Sequence, residues 1–241
     1  MYQRIIVALT ATVVVACAPL RSPSLSGAPA YSLLQPQRDS FVVLSRGRAV
    51  GFQRTNLERT EDGYRLRDEV RVEGVVSQAT EVDFRIDGSV RSVAQSDEAR
   101  GQQTHVKVTY ADDEVRGSAT TVTAGRTGRA IASAMPANDV DDNLVAMLIP
   151  TLAWSRGAHY TITTAHAESG NAESYALTAI GSQRVTVPSG TYDTYVVELM
   201  GDGPRPLLLN VTTTRPHRIV RIVPAGQLIE FVLASSSNGP R

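Results

Sequence analysis

Alternation decides the fold class of this chain. In YRLRDEVRVE, Tyr64, Leu66, Val70 and Val72 fall on one side of a period of two, and Arg65, Arg67, Glu69, Arg71 and Glu73 on the other. Successive side chains of a strand point to opposite faces, so the pattern predicts a strand with one buried and one wet face. TEVDFRI sets Val82, Phe84 and Ile86 against Glu81, Asp83 and Arg85, and THVKVTY sets Val106, Val108 and Tyr110 against His105, Lys107 and Thr109. Val50 and Phe52 begin an earlier strand, and EVRGSATTV follows a turn at Asp112-Asp113. Asp62-Gly63 and Asp87-Gly88 are turn signals. The charged faces read as solvated surface stitched by cross-strand ion pairs.

The second half, Ala158–Leu233, repeats the style without repeating a motif. In HYTITTA, Tyr160 and Ile162 alternate with His159, Thr161 and Thr163. In ESYALTAIGSQRVTV, Tyr175, Leu177 and Ala179 share a face, and Val185 and Val187 continue after Gly181, where a bulge or bend is expected. Pro188-Ser189-Gly190 turns the chain into TYDTYVVELM; RPLLLNVTTT, HRIVRIV and QLIEFVLA follow, the last two joined across Pro224-Ala225-Gly226. Turn signals arrive about every 8–12 residues, the spacing of a sandwich or barrel.

One stretch breaks the alternation. Between Asp139 and Trp154, Val140, Leu144, Met147 and Leu148 follow helical spacing. Asp139, Asp141 and Asp142 are placed to cap its start, and Pro150 to close it. About two turns cannot stand alone in water. Val145, Ile149 and Leu152 make the segment apolar nearly all round, so it needs cover on several sides. The expected fold is therefore all-β with one short central helix: an antiparallel curved sheet or open barrel wrapped around that helix. A plain crossover between sheet halves is the alternative. Ala124–Asn138, rich in small residues, reads as a loop into the helix, with 125–134 as a candidate hinge.

The ends of the chain speak to location. Ile5–Ala16 is an uncharged, mostly apolar run behind Arg4. It is too short to span a bilayer and suits a signal-peptide core. It runs into Val14-Val15-Ala16-Cys17, which resembles the bacterial lipoprotein signal. The resemblance implies cleavage after Ala16, a lipid on Cys17 and a firm membrane anchor. Cys17 is the one cysteine in the sequence, so no disulfide within the chain is possible. Ala18 stands where such signals carry an aspartate for inner-membrane retention, which implies the outer membrane with the domain in the periplasm. The expected organisation is signal peptide 1–16, flexible tether 17–38, one β domain 39–234 and a loose tail 235–241.

VTVPSGTYDTYVVEL, the later HRIVRIV strand and DDNLVAMLIPTLAWSRGAHYTI together resemble an uncharacterised family of bacterial periplasmic and lipid-anchored β-proteins, whose members carry a VPAGTFxTYxV-like hairpin. The likeness extends loosely over 41–233, with Val187–Val196 its specific part. It implies no activity for any residue. In architecture the expected fold also resembles the half-barrels of lipoprotein carriers of the bacterial envelope.

Catalytic signatures are missing. There is no GxSxG elbow, no Walker loop and no HExxH pair among His105, His159, His166 and His217. DVDDN starts like a calcium loop but puts Leu144 and Pro150 where glycine and glutamate are required. The expectation is a non-enzyme with no catalytic residue, metal or cofactor. Formal charge is zero, which argues against a nucleic-acid surface. Two roles remain. The concave face could hold a lipid or other hydrophobic ligand, with Leu144, Met147 and Leu148, and Tyr192 and Tyr195 at the hairpin, as candidate ligand-facing or core residues. Alternatively the interior is packed shut and the protein docks onto an envelope partner, with its lipid on Cys17 in the membrane. An open apolar cavity of several hundred Å³ separates the two.

Overall fold

A computed structural model of the chain describes residues 30–99, 102–111, 114–122, 129–134, 140–166, 172–201 and 205–238. Among the described residues, fifteen strands, the alternating segments among them, form one sheet. The first half holds β1 (Gln37–Ser45), β2 (Arg48–Arg59), β3 (Gly63–Val72), β4 (Val76–Arg85), β5 (Val90–Ala99), β6 (Gln102–Ala111), β7 (Glu114–Val122) and β8 (Arg129–Ala134). The two-residue β9 (Val140–Asp141) precedes the helical segment. The second half holds β10 (His159–Ala165), β11 (Ala172–Val187), β12 (Gly190–Met200), β13 (Leu207–Thr212), β14 (Ile219–Pro224) and β15 (Ile229–Asn238).

The spatial order is β8-β7-β6-β5-β4-β3-β2-β1-β15-β14-β13-β12-β11-β10-β9. Two antiparallel meanders meet where β1 pairs with β15; the short β9 joins β10 in parallel. β8 and β9 end the order, so among the described residues the sheet is open and curved rather than a closed barrel.

Register settles which side of the sheet each residue serves. Val197, Leu209, Ile222, Phe231, Val43 and Gly51 make one row across β12, β13, β14, β15, β1 and β2. This is the inner face, because Val197 and Leu209 belong to the main core and Ile222 packs against it. The neighbouring row, Val196, Asn210, Arg221, Val232, Val42 and Phe52, is the outer face. In the first half the inner face carries Tyr64, Leu66, Val82, Phe84, Val93, Val106 and Val108, all buried. The expected alternation holds there except at Ile86, which lies beyond the end of β4 and is half exposed. Asp68 also points inward, its carboxylate accepting from Thr55 Oγ1 (2.6 Å) and Gln53 Nε2 (3.0 Å).

The helical segment lies among these inner residues. Only its middle is α-helical and its ends wind more tightly: a 3₁₀ turn (Asp142–Leu144), α1 (Val145–Leu148) and a second 3₁₀ turn (Ile149–Thr151). Asp141 caps it, Oδ1 accepting the Asn143 N–H at 3.0 Å. Pro150 sits inside the second 3₁₀ turn, where its missing N–H costs nothing.

Three boundaries differ from the sequence reading. RAIASA, expected within a loop, is the edge strand β8, pairing Arg129–Ala134 with Ala119–Glu114; the unsatisfied edge of β7 recruits it although it lacks alternation. The tail begins later than expected, because Ser235–Asn238 pair with Ser40–Gln37. The domain also begins earlier. Tyr31–Leu33 form a 3₁₀ turn, and the Tyr31 ring lies where a Cβ on Gly88 would stand, 2.1 Å from its Cζ. Gly88 has φ +93°, so that turn needs glycine for its backbone as well as for the ring.

Candidate functional site

The interior was the first candidate, and among the described residues its geometry is that of a filled core. Leu144, Leu148 and Ile149 are at most 1 % exposed. They pack in one cluster with Leu57, Leu66, Phe84, Val108, Tyr160 and Leu177 from both meanders. Met147 is half-buried, with Gln37 Nε2 3.9 Å from its sulfur. The trailing end is pinned as well. Trp154 Nε1 donates to the Ile149 carbonyl (2.8 Å), Tyr160 O–H to the Ala153 carbonyl (2.6 Å), and the two rings meet edge to face. The cavity beside the segment, lined by Leu57, Met147, Pro150 and His217 among others, holds only about 40 Å³. The segment is a plug.

A polar knot fastens its leading end. Asp141 is fully buried and accepts the Tyr110 hydroxyl of β6 at 2.5 Å. Burial, then the charge of Asp142, pushes its pKa up to about 6. Asp142 Oδ2 lies 2.7 Å from His166 Nδ1, and Glu173 Oε2 of β11 lies 2.9 Å from His166 Nε2. Tyr175 O–H donates to the same Glu173 oxygen at 2.9 Å. Burial opposes charging of His166, yet the hydrogen bond that the ring donates to Glu173 and the charge of Asp142 outweigh it and raise its pKa. Sequence reasoning took Asp141 and Asp142 as caps and His166 as one unremarkable histidine. No spacing in the chain links residues 110, 142, 166 and 173, so only the fold could assemble them.

The hairpin tyrosines do not form one site. In β11, Ile180 is an extra residue between Ala179, opposite Val197, and Gly181, opposite Val196. A one-residue shift exchanges faces. Leu177 and Ala179 therefore face the plug, while Val185 and Val187 turn to the outer face. Tyr192, opposite Val185, joins them; Tyr195 stays with the main core. The hairpin end then folds back, the Ser189 N–H donating to the Leu233 carbonyl at 3.1 Å. It closes over the seam where β14 and β15 share only two register pairs. A second core forms there from Phe41, Val185, Val187, Val220, Val232 and Leu233.

That closure is incomplete and leaves a cleft of about 450 Å³ on the outer face. Val42, Leu44, Val185, Val187 and Val232 line it, with Arg184, Arg221 and Glu230 among its polar residues. Both cations are paired: Arg221 Nη2 with Glu230 at 2.6 Å, Arg184 Nε with Asp193 at 2.9 Å. A wider trough of about 620 Å³ crosses the outer face of β2–β6. Ala79, Ala94 and Ser96 floor it, with Arg54, Arg67 and Glu69 to one side and His105 and Lys107 to the other. Its pairs are the expected surface ladder, such as Arg67 Nε to Glu81 at 2.7 Å.

His105 is exposed and His159 bonds Thr178 at 2.9 Å. His217 is buried, its Nδ1 donating to the Thr212 carbonyl at 2.8 Å, and burial lowers its pKa. Among the described residues no group of three or more His, Cys, Asp or Glu side chains is placed to hold a metal ion. Cys17 lies outside the described residues. One family model, described as Protein of unknown function (DUF3108), matches residues 40–229. No curated protein and no solved structure matches the chain.

Proposed function

We propose that this chain, which belongs to the family of unknown function just described, is a non-enzymatic binding protein of the bacterial cell envelope. Its anchor is a lipid on Cys17 in the outer membrane, its domain faces the periplasm, and its ligand site is the cleft behind the β11–β12 hairpin. The contrast of volumes carries this reading. About 450 Å³ is open on the outer face, in a cleft whose lining is divided between aliphatic and polar side chains, against about 40 Å³ beside the plug. Small-molecule sites occupy roughly 300–1,000 Å³ and are mostly apolar with a few placed polar groups. Because Arg184 and Arg221 already hold carboxylates, the favoured ligand is an uncharged apolar group, such as one acyl chain.

Native mass spectrometry of the Cys17→Ser chain from bacterial periplasm tests the site. The expected result is uptake of added fatty acid or phospholipid, lost in Leu44→Trp and kept in Leu148→Ala. No uptake by the parent chain overturns the binding reading. Labelled fatty acid tests the anchor: incorporation in wild type and none in Cys17→Ser is expected, and equal labelling of both removes the localisation.

The second reading is a docking lipoprotein that assembles on an envelope partner. The charged trough across β2–β6 favours it. A chain that takes up no lipid, yet loses a cross-linked envelope partner on Ala94→Arg, would put this reading first.

A further inference from the structure

The polar knot at the plug has a stoichiometry that constrains its charge. A neutral imidazole carries one N–H and one bare nitrogen, whereas imidazolium carries two N–H groups. His166 faces a carboxylate on each nitrogen, Asp142 at 2.7 Å and Glu173 at 2.9 Å. Ionised carboxylates only accept. Both contacts are therefore hydrogen bonds only while the ring holds its second proton. Once it leaves, one nitrogen lone pair meets a carboxylate lone pair, and that contact turns repulsive. Asp142 belongs to the plug, His166 follows the end of β10 and Glu173 lies on β11, so the lost bond is one that joins separate elements.

We propose that His166, charged and gripped by Asp142 and Glu173, is the pin of a pH-sensitive latch that fastens the leading end of the plug to the β10–β11 margin of the sheet. The groups that surround the pin reinforce its sense. From the plug come Asp141 and Asp142; from β11, Glu173 and Tyr175; from β6, Tyr110, bonded to Asp141. Tyr31 stands nearby, its pKa pushed up to about 12 by burial and by Asp87 and Asp141. Among the described residues, these named ionisable neighbours are acids and phenols, which favour the charged ring. Acid also favours closure at Asp141, whose protonation removes its repulsion of Asp142.

The sign follows from linkage. His166 has a raised pKa in the fold, so its contribution is complete below its ordinary value near 6.5 and is lost as pH rises through the raised one. Asp141 is likewise raised, from 3.8 to about 6, so its neutral form is favoured below that value. The latch is closed in mild acid and loosens toward alkaline pH.

Amide hydrogen exchange of the full chain, corrected for intrinsic rates, reads the plug directly. Between pH 5.5 and 8.5, peptides covering 141–151 should lose about tenfold of their protection relative to the β3–β4 peptides, the effect of one tenfold step in an opening equilibrium. His166→Gln should abolish that dependence, whereas His105→Gln should keep it. A wild-type plug whose relative protection does not change with pH, or a His166→Gln plug that keeps the full change, overturns the proposal. Imidazole carbon shifts of the wild-type chain supply the check that needs no variant. A His166 midpoint above 6.5 is expected, and a midpoint at or below it overturns the latch.

Discussion

The two cores of this sheet are built from the same residues to opposite ends. Around the plug, leucines, valines and aromatics from both meanders close on a segment that is capped, pinned by Trp154 and Tyr160, and tied to β6 and β11 by a polar knot. Behind the hairpin, six buried aliphatic and aromatic residues close over a seam with two register pairs, and space remains. Hydrophobicity does not separate them. What differs is whether a short piece of chain has been spent filling the concavity. A filled core resists change; a partly closed one keeps room for something else.

The comparison breaks first at Leu148. Leu148→Ala should cost about 2–5 kcal/mol in urea denaturation, the range for large-to-small core changes, and leave hydrophobic uptake intact. A cost below about 1 kcal/mol would mean that the plug is not core. Next comes Tyr110→Phe, which takes a donor from the buried Asp141 carboxylate. It should cost about 1–3 kcal/mol at pH 8 and less at pH 5, because Asp141 is protonated below about 6. Equal costs at both pH values would contradict a raised pKa there. Val187→Ala probes the other core and should cost about 1 kcal/mol, typical of point substitutions, since the cleft beside it already lacks packing partners. A penalty matching that of Leu148→Ala would erase the contrast. Smallest is Arg67→Ala on the wet face. Its pair with Glu81 joins side chains that are 49 % and 41 % exposed, so thermal unfolding should register roughly 0–1 kcal/mol, shrinking further in salt.

The sheet was legible because its alternation is local: β3, β4 and β6 each show their two faces within ten residues. The helical segment was legible for the same reason, from its spacing and acidic start. Three features were not. The face exchange at Ile180 leaves Val185 and Val187 in apparent phase with Leu177 and Ala179, so the second core looked like a continuation of the first. Asp68 lies among inward apolar residues and is acceptable there only because Thr55 and Gln53, on a different strand, supply hydrogen bonds. β8 has neither alternation nor bulk, and is a strand because β7 offers it an edge. Each depends on the register of a neighbouring strand, which the alternation within a single strand does not show.

The pairing of β1 with β15 has a consequence for how the molecule comes into being. Gln37 lies opposite Asn238, and the Ser236 hydroxyl bonds Asp39, 197 positions away. The middle of the sheet is thus completed last, when β15 reaches β1. A chain emerging at about 5–20 residues per second carries β1 with one bare edge throughout, and contacts of such separation form slowly. An exposed strand edge invites pairing with the wrong chain. Arg38 and Asp39, a cation and an acid on that waiting edge, are suited to discourage a stranger until β15 arrives to claim the position.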